Sequence, residues 1–437
     1  MGSFSPALNA WRTAIKKGDI QPHRMGEVIS GIRYGTGTPP LRVEPSGESV
    51  PFLRATDIKD GQVLTEKLPY ISRNQPPAMD KCRLEGGELI IVRSGVNTGD
   101  CAVVPKALHG AFAAYDLIVN VNTGKALAEF LSAFLYTGFG STQIDSVKNR
   151  AAQPHINAEE VKALEIPLPP LDVQCRLVAE LDAARTERDR ALAEADRLLT
   201  SIDDLVKAKL GLPDLEPPKQ AGYAIRLTTA MNNNTLSADF FHPERMQAVR
   251  LIQSLTNAPL SQIVNFQRNI IKTPGESRYI GLASVAAGTG QLTEAVETAS
   301  GQCFSFKPGD VLYGRLRPYL NKVWLATFSG VCSTEFHVMR PFDERILCPE
   351  YLAVVMRTSL IVAQTKHMMT GNTHPRIANE DVANLLVPLT DEKTQQKIVE
   401  ETLASQAESA RLRTHAETIW REAREHFEQQ LLQGGKA

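Results

Sequence analysis

The feature that most constrains this chain is an internal repeat. At an offset of 221 residues, QPHINAEEVKALEIPLPPLDVQCRLV aligns without a gap on HPRIANEDVANLLVPLTDEKTQQKIV, so that Pro154 matches Pro375 and Gln174 matches Gln395. Two earlier blocks repeat in the same order: FLRATDIKDGQV resembles YIGLASVAAGTGQL, and GGELIIVRSGVNTGDCAVV resembles PGDVLYGRLRPYLNKVWLA. Three blocks in one order indicate a duplication, so the fold must accommodate two copies of one unit.

Each copy has the same internal order of predicted elements. Short β-like runs such as GELIIVRSG and GDVLYGRL are broken by Gly, Pro and Asn, and they are followed by a helical segment, a proline-containing connector and a long helix. The pattern predicts an α+β fold with two globular domains of short strands, separated by two long antiparallel coiled-coil helices and related by a pseudo-twofold repeat. The predicted segments are a first globular domain 1–170, a first long helix 171–212, a linker 213–220, a second globular domain 221–389 and a second long helix 390–434.

The two long helices are predicted to pair with each other. Apolar residues in the first follow a 4-3 spacing that only Arg188 interrupts, as in a coiled coil. Asp172 is predicted to cap the first helix, and Thr390 or Asp391 the second. The connectivity requires antiparallel pairing if the two seams meet; the alternative is that each helix packs on its own domain. The predicted pairing residues are Leu177, Leu181, Ala184, Ala191, Ala195, Leu198, Ile202 and Leu205 in the first helix, and Leu412, Ala416, Ile419 and Ala423 in the second.

Composition and motifs exclude several classes of protein. A length of 437 residues requires more than one domain, and no stretch has the roughly 20 apolar residues of a membrane span, so a cytoplasmic protein is expected. The six cysteines have no zinc-like spacing, so neither a metal site nor a disulfide framework is predicted. P-loop, dinucleotide-binding and DNA-amine-methyltransferase motifs are absent from the sequence, so the chain is predicted to have no catalytic site of its own.

The chain resembles the DNA-specificity subunits of type I restriction–modification enzymes in three segments. These are the junction IPLPPLDVQCRLVAELD, the strand region GDVLYGRLRPYLNKV, and LSADFFHPERM at the start of the second domain. The second junction, VPLTDEKTQQ, departs from the family pattern because it lacks the double proline. The resemblance implies a non-catalytic subunit for phage defence, with two target-recognition domains that each read half of a bipartite, asymmetric DNA target through the major groove.

The resemblance also implies partners and cofactors. The long helices would set the unread spacer and recruit two methyltransferase (modification) subunits, and motor-nuclease (restriction) subunits would complete the complex on double-stranded DNA. S-adenosylmethionine, ATP and Mg²⁺ are expected in those partners, and no cofactor is expected in this chain. A net charge of −1, with slightly basic globular segments and acidic helical ones, fits a reader that its partners help to hold on DNA. The alternatives are a coiled-coil scaffold that does not read DNA and a specificity chain of a differently organised bipartite restriction system.

Polar loops beside the predicted strands supply the candidate DNA contacts, because base edges are read by Arg, Lys, Asn, Gln, Ser and Thr. Arg93 and Arg315 recur in both copies, which favours a shared structural or phosphate role, and Arg54 is predicted to form an internal salt bridge. The candidates in the first domain are Arg33, Tyr34, Thr36, Arg93, Ser94, Asn97, Thr98, Lys148, Asn149 and Arg150. Those in the second domain are Arg268, Asn269, Lys272, Arg315, Arg317, Tyr319, Asn321, Lys322, Asn372 and His374.

Overall fold

The computed structural model of the chain divides into two compact units. The first unit comprises Met1–Arg190 and His415–Ala437, and the second comprises Ala191–Thr414. The division falls within the two long helices, so each unit contains one globular domain and half of each long helix. Among the described residues, no helix is both long and apolar enough to cross a membrane. The structure describes residues 6–148, 154–216, 222–232, 235–256, 258–272, 277–299, 301–371 and 373–433.

The first unit contains two four-stranded sheets packed with a helical layer. Its strands are β1 (Pro22–Arg24), β2 (Ile29–Tyr34), β3 (Arg42–Val43), β4 (Ser49–Leu53), β5 (Ile58–Lys59), β6 (Gln62–Val63), β7 (Tyr70–Ser72), β8 (Leu89–Ile91), β9 (Cys101–Val103), β10 (Phe112–Ala113), β11 (Leu117–Val121) and β12 (Glu165–Pro167). Its helices are α1 (Pro6–Lys17), α2 (Ala128–Leu135), α3 (Gly138–Lys148), α4 (Ala158–Ala163) and the first part of α5 (Leu171–Thr200). The sheet orders are β2-β11-β8-β9, which is antiparallel, and β10-β4-β7-β3, in which β10 and β4 are parallel.

The second unit has the same plan. Its strands are β13 (Val264–Gln267), β14 (Ile270–Ile271), β15 (Tyr279–Ile280), β16 (Cys303–Phe306), β17 (Val311–Gly314), β18 (Val323–Leu325), β19 (Gly330–Ser333), β20 (Phe336–Pro341), β21 (Met369–Thr370) and β22 (Arg376–Ile377). Its helices are α6 (Ile202–Leu210), α7 (Leu227–Asn232), α8 (Pro243–Gln253), α9 (Leu260–Ile263), α10 (Pro349–Val355), α11 (Ser359–Thr365), α12 (Asn379–Ala383) and the first part of α13 (Glu392–Leu432). The antiparallel order β13-β20-β17-β18 repeats the order β2-β11-β8-β9 of the first unit, which supports the predicted duplication.

A buried glutamine fixes the start of the first long helix. The Gln174 side chain is fully buried, and its Nε2 donates to the carbonyl oxygens of Pro169 (2.8 Å) and Lys125 (3.2 Å). Its Oε1 accepts from the backbone N–H of Leu127 at 2.9 Å. One side chain therefore joins the proline connector, the new helix and the segment before α2, and it satisfies backbone groups that would otherwise be buried without partners.

Gln395 makes the same three contacts in the second unit. Its Nε2 donates to the carbonyl oxygens of Thr390 (2.9 Å) and Ile346 (2.7 Å), and its Oε1 accepts from the N–H of Cys348 at 3.1 Å. All three contact positions lie 221 residues after their counterparts in the first unit. The duplication therefore extends to individual hydrogen bonds, although the proline content of the two connectors differs.

Within the first unit, the two long helices pack side by side and antiparallel. The guanidinium carbon of Arg188 lies 4.7 Å from the centre of the Trp420 ring, and Glu180 lies 3.4 Å from His426. The earlier residue of α5 thus meets the later residue of α13. Phe427 is buried in the same apolar cluster as the seam residue Leu177, which continues the contact into the globular domain.

Within the second unit the pairing is also antiparallel. Ser409 Oγ donates to the Ala195 carbonyl oxygen at 2.9 Å, and Lys209 Nζ lies 2.6 Å from a Glu401 carboxylate oxygen. The polar residues Thr402 and Ser409 are also fully buried on α13, so the buried face of this half of the helix is not wholly apolar. Of the twelve predicted pairing residues, Leu177, Leu181, Ala191, Ala195 and Ala416 are buried, and Ala184, Leu198, Ile202, Leu205, Leu412, Ile419 and Ala423 are half-buried.

Two local predictions about these helices need correction. The first long helix begins at Leu171, so Asp172 lies inside its first turn and does not occupy the cap position. The predicted continuous helix 171–212 is two helices, which meet at Ser201, and the second ends at the left-handed Gly211. Asp391 does cap the second long helix, since its carboxylate accepts from the Thr394 N–H at 3.0 Å.

Candidate nucleic-acid interface

In the first unit, Arg93 is held between two tyrosine rings at the end of β8. Its guanidinium carbon lies 4.8 Å from the centre of the Tyr34 ring and 4.3 Å from that of the Tyr115 ring, and its Nε donates to His155 Nε2 at 3.0 Å. Tyr115 is 43% exposed. Stacked aromatic faces reduce the rotational freedom of the guanidinium, so the positive charge is positioned in advance for an acceptor.

The backbone around Arg93 is fixed by contacts that the second unit repeats. The Arg93 carbonyl oxygen accepts from the Ile156 N–H at 3.0 Å, and the Arg315 carbonyl oxygen accepts from the Ile377 N–H at 3.1 Å. Both arginines therefore occupy the same place in a shared backbone frame, next to the segment that leads into the long helix. The backbone at the repeated position is thus held in the same way in both units, while each arginine side chain has different neighbours.

The turn after Arg93 presents polar atoms around an exposed tip. Gly95 and Gly99 both have φ near +95°, which glycine adopts without strain, and Val96 between them is fully exposed. Ser94 and Asn97 are half-buried on this turn. We define the first loop cluster as Tyr34, Arg93, Ser94, Asn97, Tyr115 and His155.

Other candidates of the first domain have internal partners. Arg33 donates to the Arg83 carbonyl oxygen at 2.8 Å and pairs with the buried Glu88 at 3.0 Å. Thr98 is 3% exposed and donates to the Gly95 carbonyl oxygen at 2.7 Å. These contacts show that the side chains of Arg33 and Thr98 stabilise the domain from within.

The remaining candidates of this domain lie in two places. Thr36 uses its hydroxyl within its own turn, where it donates to the Thr38 carbonyl oxygen at 3.0 Å. Lys148 pairs with Asp145 at 2.7 Å at the end of α3, and Asn149 and Arg150 lie outside the described residues. The predicted internal salt bridge of Arg54 is present, because Arg54 lies 2.6 Å from Asp57.

In the second unit, an acidic residue takes the place of the aromatic partners. Arg376 makes a forked contact with the Glu335 carboxylate, with N–O distances of 3.0 to 3.1 Å, and Arg315 Nε lies 3.9 Å from the same carboxylate. Arg376 aligns with His155 of the first unit. The two units thus share a frame but present different side chains from it.

The loop after Arg315 and the hairpin that faces it contain three exposed candidates. Arg317 adopts a left-handed conformation (φ 49°), and its N–H donates to the Pro375 carbonyl oxygen at 2.7 Å. Tyr319 is 44% exposed, and His374 is exposed on the facing hairpin formed by β21 and β22. We define the second loop cluster as Arg315, Arg317, Tyr319, Glu335, His374 and Arg376.

Two candidates of this loop are turned inward. Asn321 is 6% exposed and donates to the Arg357 carbonyl oxygen at 2.6 Å, and Lys322 donates to the Leu282 carbonyl oxygen at 2.6 Å. Asn372 lies outside the described residues. A sequence pattern that places polar residues in one loop does not reveal which of them hold the loop together.

The third predicted loop of the second domain lies next to the second cluster. Arg268, Asn269 and Lys272 are exposed at the ends of β13 and β14. Burial, and with it the positive charges of Arg315 and Arg268, lowers the pKa of His337 from 6.5 to about 4. Arg268 and Arg315 therefore act on the same buried imidazole, and the structure brings these two loops together.

Sequence reasoning missed four residues of the clusters: Tyr115, His155, Glu335 and Arg376. Tyr115 and Glu335 lie just before the central strands β11 and β20, and His155 and Arg376 precede the repeated Ile156 and Ile377. These residues occupy equivalent positions in the two copies but differ in side chain, and this difference is the sequence feature that could have identified them.

Asp116, beside Arg93, should make the stability of the first unit depend on pH. Burial raises the pKa of Asp116 from 3.8 to about 6, partly opposed by a hydrogen bond from the Arg93 N–H. Because the pKa of Asp116 is higher in the folded than in the unfolded state, the folded state is favoured while this carboxyl is protonated. The stabilisation from the protonated carboxyl is complete below about pH 4 and is lost as the pH rises through 6. A shift of about two units corresponds to roughly 3 kcal/mol.

Asp116→Asn removes this titration. We therefore expect the unfolding free energy of the unsubstituted chain, relative to Asp116→Asn, to fall by up to about 3 kcal/mol between pH 4 and pH 7.5. Urea unfolding at a series of pH values measures the difference. Parallel curves for the two proteins would contradict the prediction.

Comparisons with known proteins identify the first unit. Residues 27–188 match the family described as the type I restriction modification DNA specificity domain. The type I restriction enzyme EcoDI specificity subunit of Escherichia coli is 31% identical over 94 residues, which is 22% of this chain and 20% of that relative. The aligned part thus spans one fifth of the relative's length.

Solved structures resemble the chain over nearly its whole length. A chain from a type I R-M system matches with a TM-score of 0.50 and 17% identity, covering 94% of this chain and 96% of the other, which establishes a common fold. The HsdS subunit from Thermoanaerobacter tengcongensis has a TM-score of 0.42 and 16% identity, covering 95% of this chain and 97% of its own. The chain thus combines an α+β fold of two sheet-rich units and a repeated helix junction with a first unit in which residues 27–188 match the DNA specificity domain of type I restriction modification, in line with the sequence resemblance.

Proposed function

We propose that this chain is the non-catalytic subunit that gives a type I restriction–modification complex its DNA sequence specificity. One globular domain reads each half of a bipartite, asymmetric target. The observation that supports this most strongly is the shared backbone frame around Arg93 and Arg315, which presents tyrosines and a histidine in one unit but Glu335 and Arg376 in the other. A common frame with different side chains suits two readers of different half-sites.

The chemistry of the two clusters fits contacts with DNA. Arginine recognises guanine and phosphate through paired hydrogen bonds, and an arginine already oriented by aromatic rings loses less freedom on binding. Arg317, Tyr319 and His374 add exposed donors to the second cluster. The acidic Glu335 is itself suited to accept from the amino group of cytosine once Arg376 is displaced.

The partners follow from the same proposal. The long paired helices recruit two methyltransferase subunits, which supply S-adenosylmethionine chemistry, and motor-nuclease subunits supply ATP- and Mg²⁺-dependent translocation and cleavage. The complex acts on double-stranded DNA in the cytoplasm. The near-neutral charge of the chain means that phosphate neutralisation comes largely from these partners.

Mapping of methylated bases tests the proposal. Cells that hold the partner methyltransferase are compared with and without this chain, and we expect a split motif with a constant spacer only when the chain is present. Absence of chain-dependent methylation with a soluble chain and an active partner would contradict the proposal and favour a scaffold.

Two substitutions assign the half-sites. Arg93→Ala should relax or abolish recognition at one half-site and Arg317→Ala at the other, each by roughly 10-fold, since a good base contact contributes about 1–3 kcal/mol. Arg73→Ala, at an exposed arginine outside the first loop cluster in the same domain, is the matched control and should leave the motif unchanged. Equal effects of Arg93→Ala and Arg317→Ala on both halves would contradict the division of labour.

A further inference from the structure

Three side chains that could ligate a metal ion meet in the second unit. His242 immediately precedes α8, Glu244 lies in its first turn, and His367 follows the end of α11. Helices α8 and α11 pack against each other, which brings together residues that are far apart in the sequence. Each residue offers one ligand atom, and the three atoms lie within 4.8 Å of one another.

The contacts within this group are those of a compact site. His367 Nε2 lies 3.2 Å from Glu244 Oε2, and the His242 ring is stacked on the His367 ring with centroids 3.5 Å apart. Within the described part of the chain, His242 Nδ1 is buried and has no hydrogen-bond partner. A buried imidazole nitrogen without a partner loses its hydration with no compensating bond, and a metal ion would supply that bond.

A lysine now shares the carboxylate. Lys366 Nζ lies 2.6 Å from Glu244 Oε2, the same oxygen that His367 contacts. A metal ion bound to the second oxygen, Glu244 Oε1, would not compete directly with the Lys366 ammonium group. Lys366 is 34% exposed and its long stem can turn toward solvent, so its charge does not block the site.

We infer that His242, Glu244 and His367 form a binding site for a transition-metal ion, with Zn²⁺ as the ion that the donor set suits. Two imidazoles and one carboxylate are a known ligand set for zinc and leave a fourth position for water. Magnesium and calcium prefer oxygen ligands and are not expected to bind here. Binding requires the His242 ring to rotate out of its stacked position, a side-chain movement that leaves the backbone in place.

The position of the site gives it a consequence for the loops. His367 is two residues before β21, and the hairpin of β21 and β22 holds His374 of the second loop cluster. Arg245, beside Glu244, already donates from Nε to Met368 Sδ at 3.0 Å. An ion held by both α8 and His367 would link the base of this hairpin to α8. Zinc should therefore restrict the hairpin, although the ion itself would not contact DNA.

The test is a titration of the full chain with Zn²⁺ after treatment with a chelator, followed by calorimetry and by thermal unfolding. We expect one saturable site and an increase in the unfolding temperature, with no response to Mg²⁺. His367→Gln and His242→Gln should each weaken zinc binding at least about 10-fold. His374→Gln, at an exposed histidine in the same unit, is the matched control and should bind zinc as the unsubstituted chain does.

Two outcomes would overturn the inference. One is the lack of saturable zinc binding by the unsubstituted chain. The other is undiminished binding by both His367→Gln and His242→Gln, which would place the ion elsewhere, for example at the exposed Cys175. Unfolding of each variant without zinc shows whether it is folded. Since neither DNA nor a partner subunit enters the assay, its result is independent of the proposed DNA recognition.

Discussion

Gly35→Ala is expected to destabilise the first unit by about 3 kcal/mol, because a backbone atom occupies the place of the new methyl group. A Cβ built on Gly35 would lie 1.6 Å from the Ala114 carbonyl oxygen and 2.7 Å from that of Ala113. The Gly35 N–H donates to the Asp116 carbonyl oxygen at 2.9 Å. Relief of the overlap must therefore separate the neighbouring ends of β2 and β11, which position Tyr34 and Tyr115 of the first loop cluster.

Gly31→Ala is the matched control for this substitution. Gly31 lies in β2, the strand that ends just before Gly35, and pairs with Asn120, but no described atom lies within 4 Å of the position that a Cβ would take there. An alanine at this position should leave stability within about 0.5 kcal/mol or raise it slightly, since it restricts the unfolded chain. Urea unfolding followed by hydrogen exchange on peptides from each unit separates the two domains. Equal stability of the two variants would contradict the prediction.

The sequence could predict the features that depend on spacing along the chain. The repeat predicted two sheet-rich domains, and the proline connectors followed by periodic helices predicted the antiparallel pairing, because these features depend on spacing along the chain. The helical segment predicted before the first connector is α4, which is capped by Asn157. Such features are local, so a single sequence contains them.

The clusters themselves could be predicted only in part. Arg93 is a candidate because it lies in a polar loop beside a predicted strand, but its partners Tyr115 and His155 come from segments 22 and 62 residues later, and only the folded sheet brings them together. Arg33 and Thr98 were chosen as polar loop residues, and their internal bonds depend on Glu88 and on the turn at Gly95. A polar residue in a loop is expected to form hydrogen bonds, but the tertiary structure determines whether its partner lies inside the protein.

The absence of metal motifs in the sequence has the same explanation. Zinc spacings in a sequence reveal sites built from one local segment, whereas His367 lies 123 residues from Glu244. Helix packing, which the periodicity of α8 and α11 does not specify, creates that group. The sequence-based expectation of no metal site therefore covers only local ligand sets.

Gln395→Ala is expected to destabilise the second unit by about 3 kcal/mol. The substitution leaves the Thr390 and Ile346 carbonyl oxygens and the Cys348 N–H without their partner in a site where Gln395 is 2% exposed. Each unsatisfied buried group costs about 1–3 kcal/mol, and water entering the new cavity recovers part of the sum. The start of α13 should loosen first, because Thr390 directly precedes it.

The adjacent Gln396→Ala is the control, since Gln396 is exposed and its Nε2 donates to Glu392 of its own helix at 3.1 Å. Its effect should stay within about 0.5 kcal/mol. Gln395→Glu keeps the acceptor for the Cys348 N–H but turns both donors into a carboxylate facing two carbonyl oxygens, so it should be at least as destabilising as alanine. Hydrogen exchange in urea on peptides of the second unit measures all three variants. If Gln395→Ala and Gln396→Ala unfold alike, the repeated glutamine does not join the connector to the domain, and the equivalence of Gln174 and Gln395 would be a relic of duplication without an energetic role.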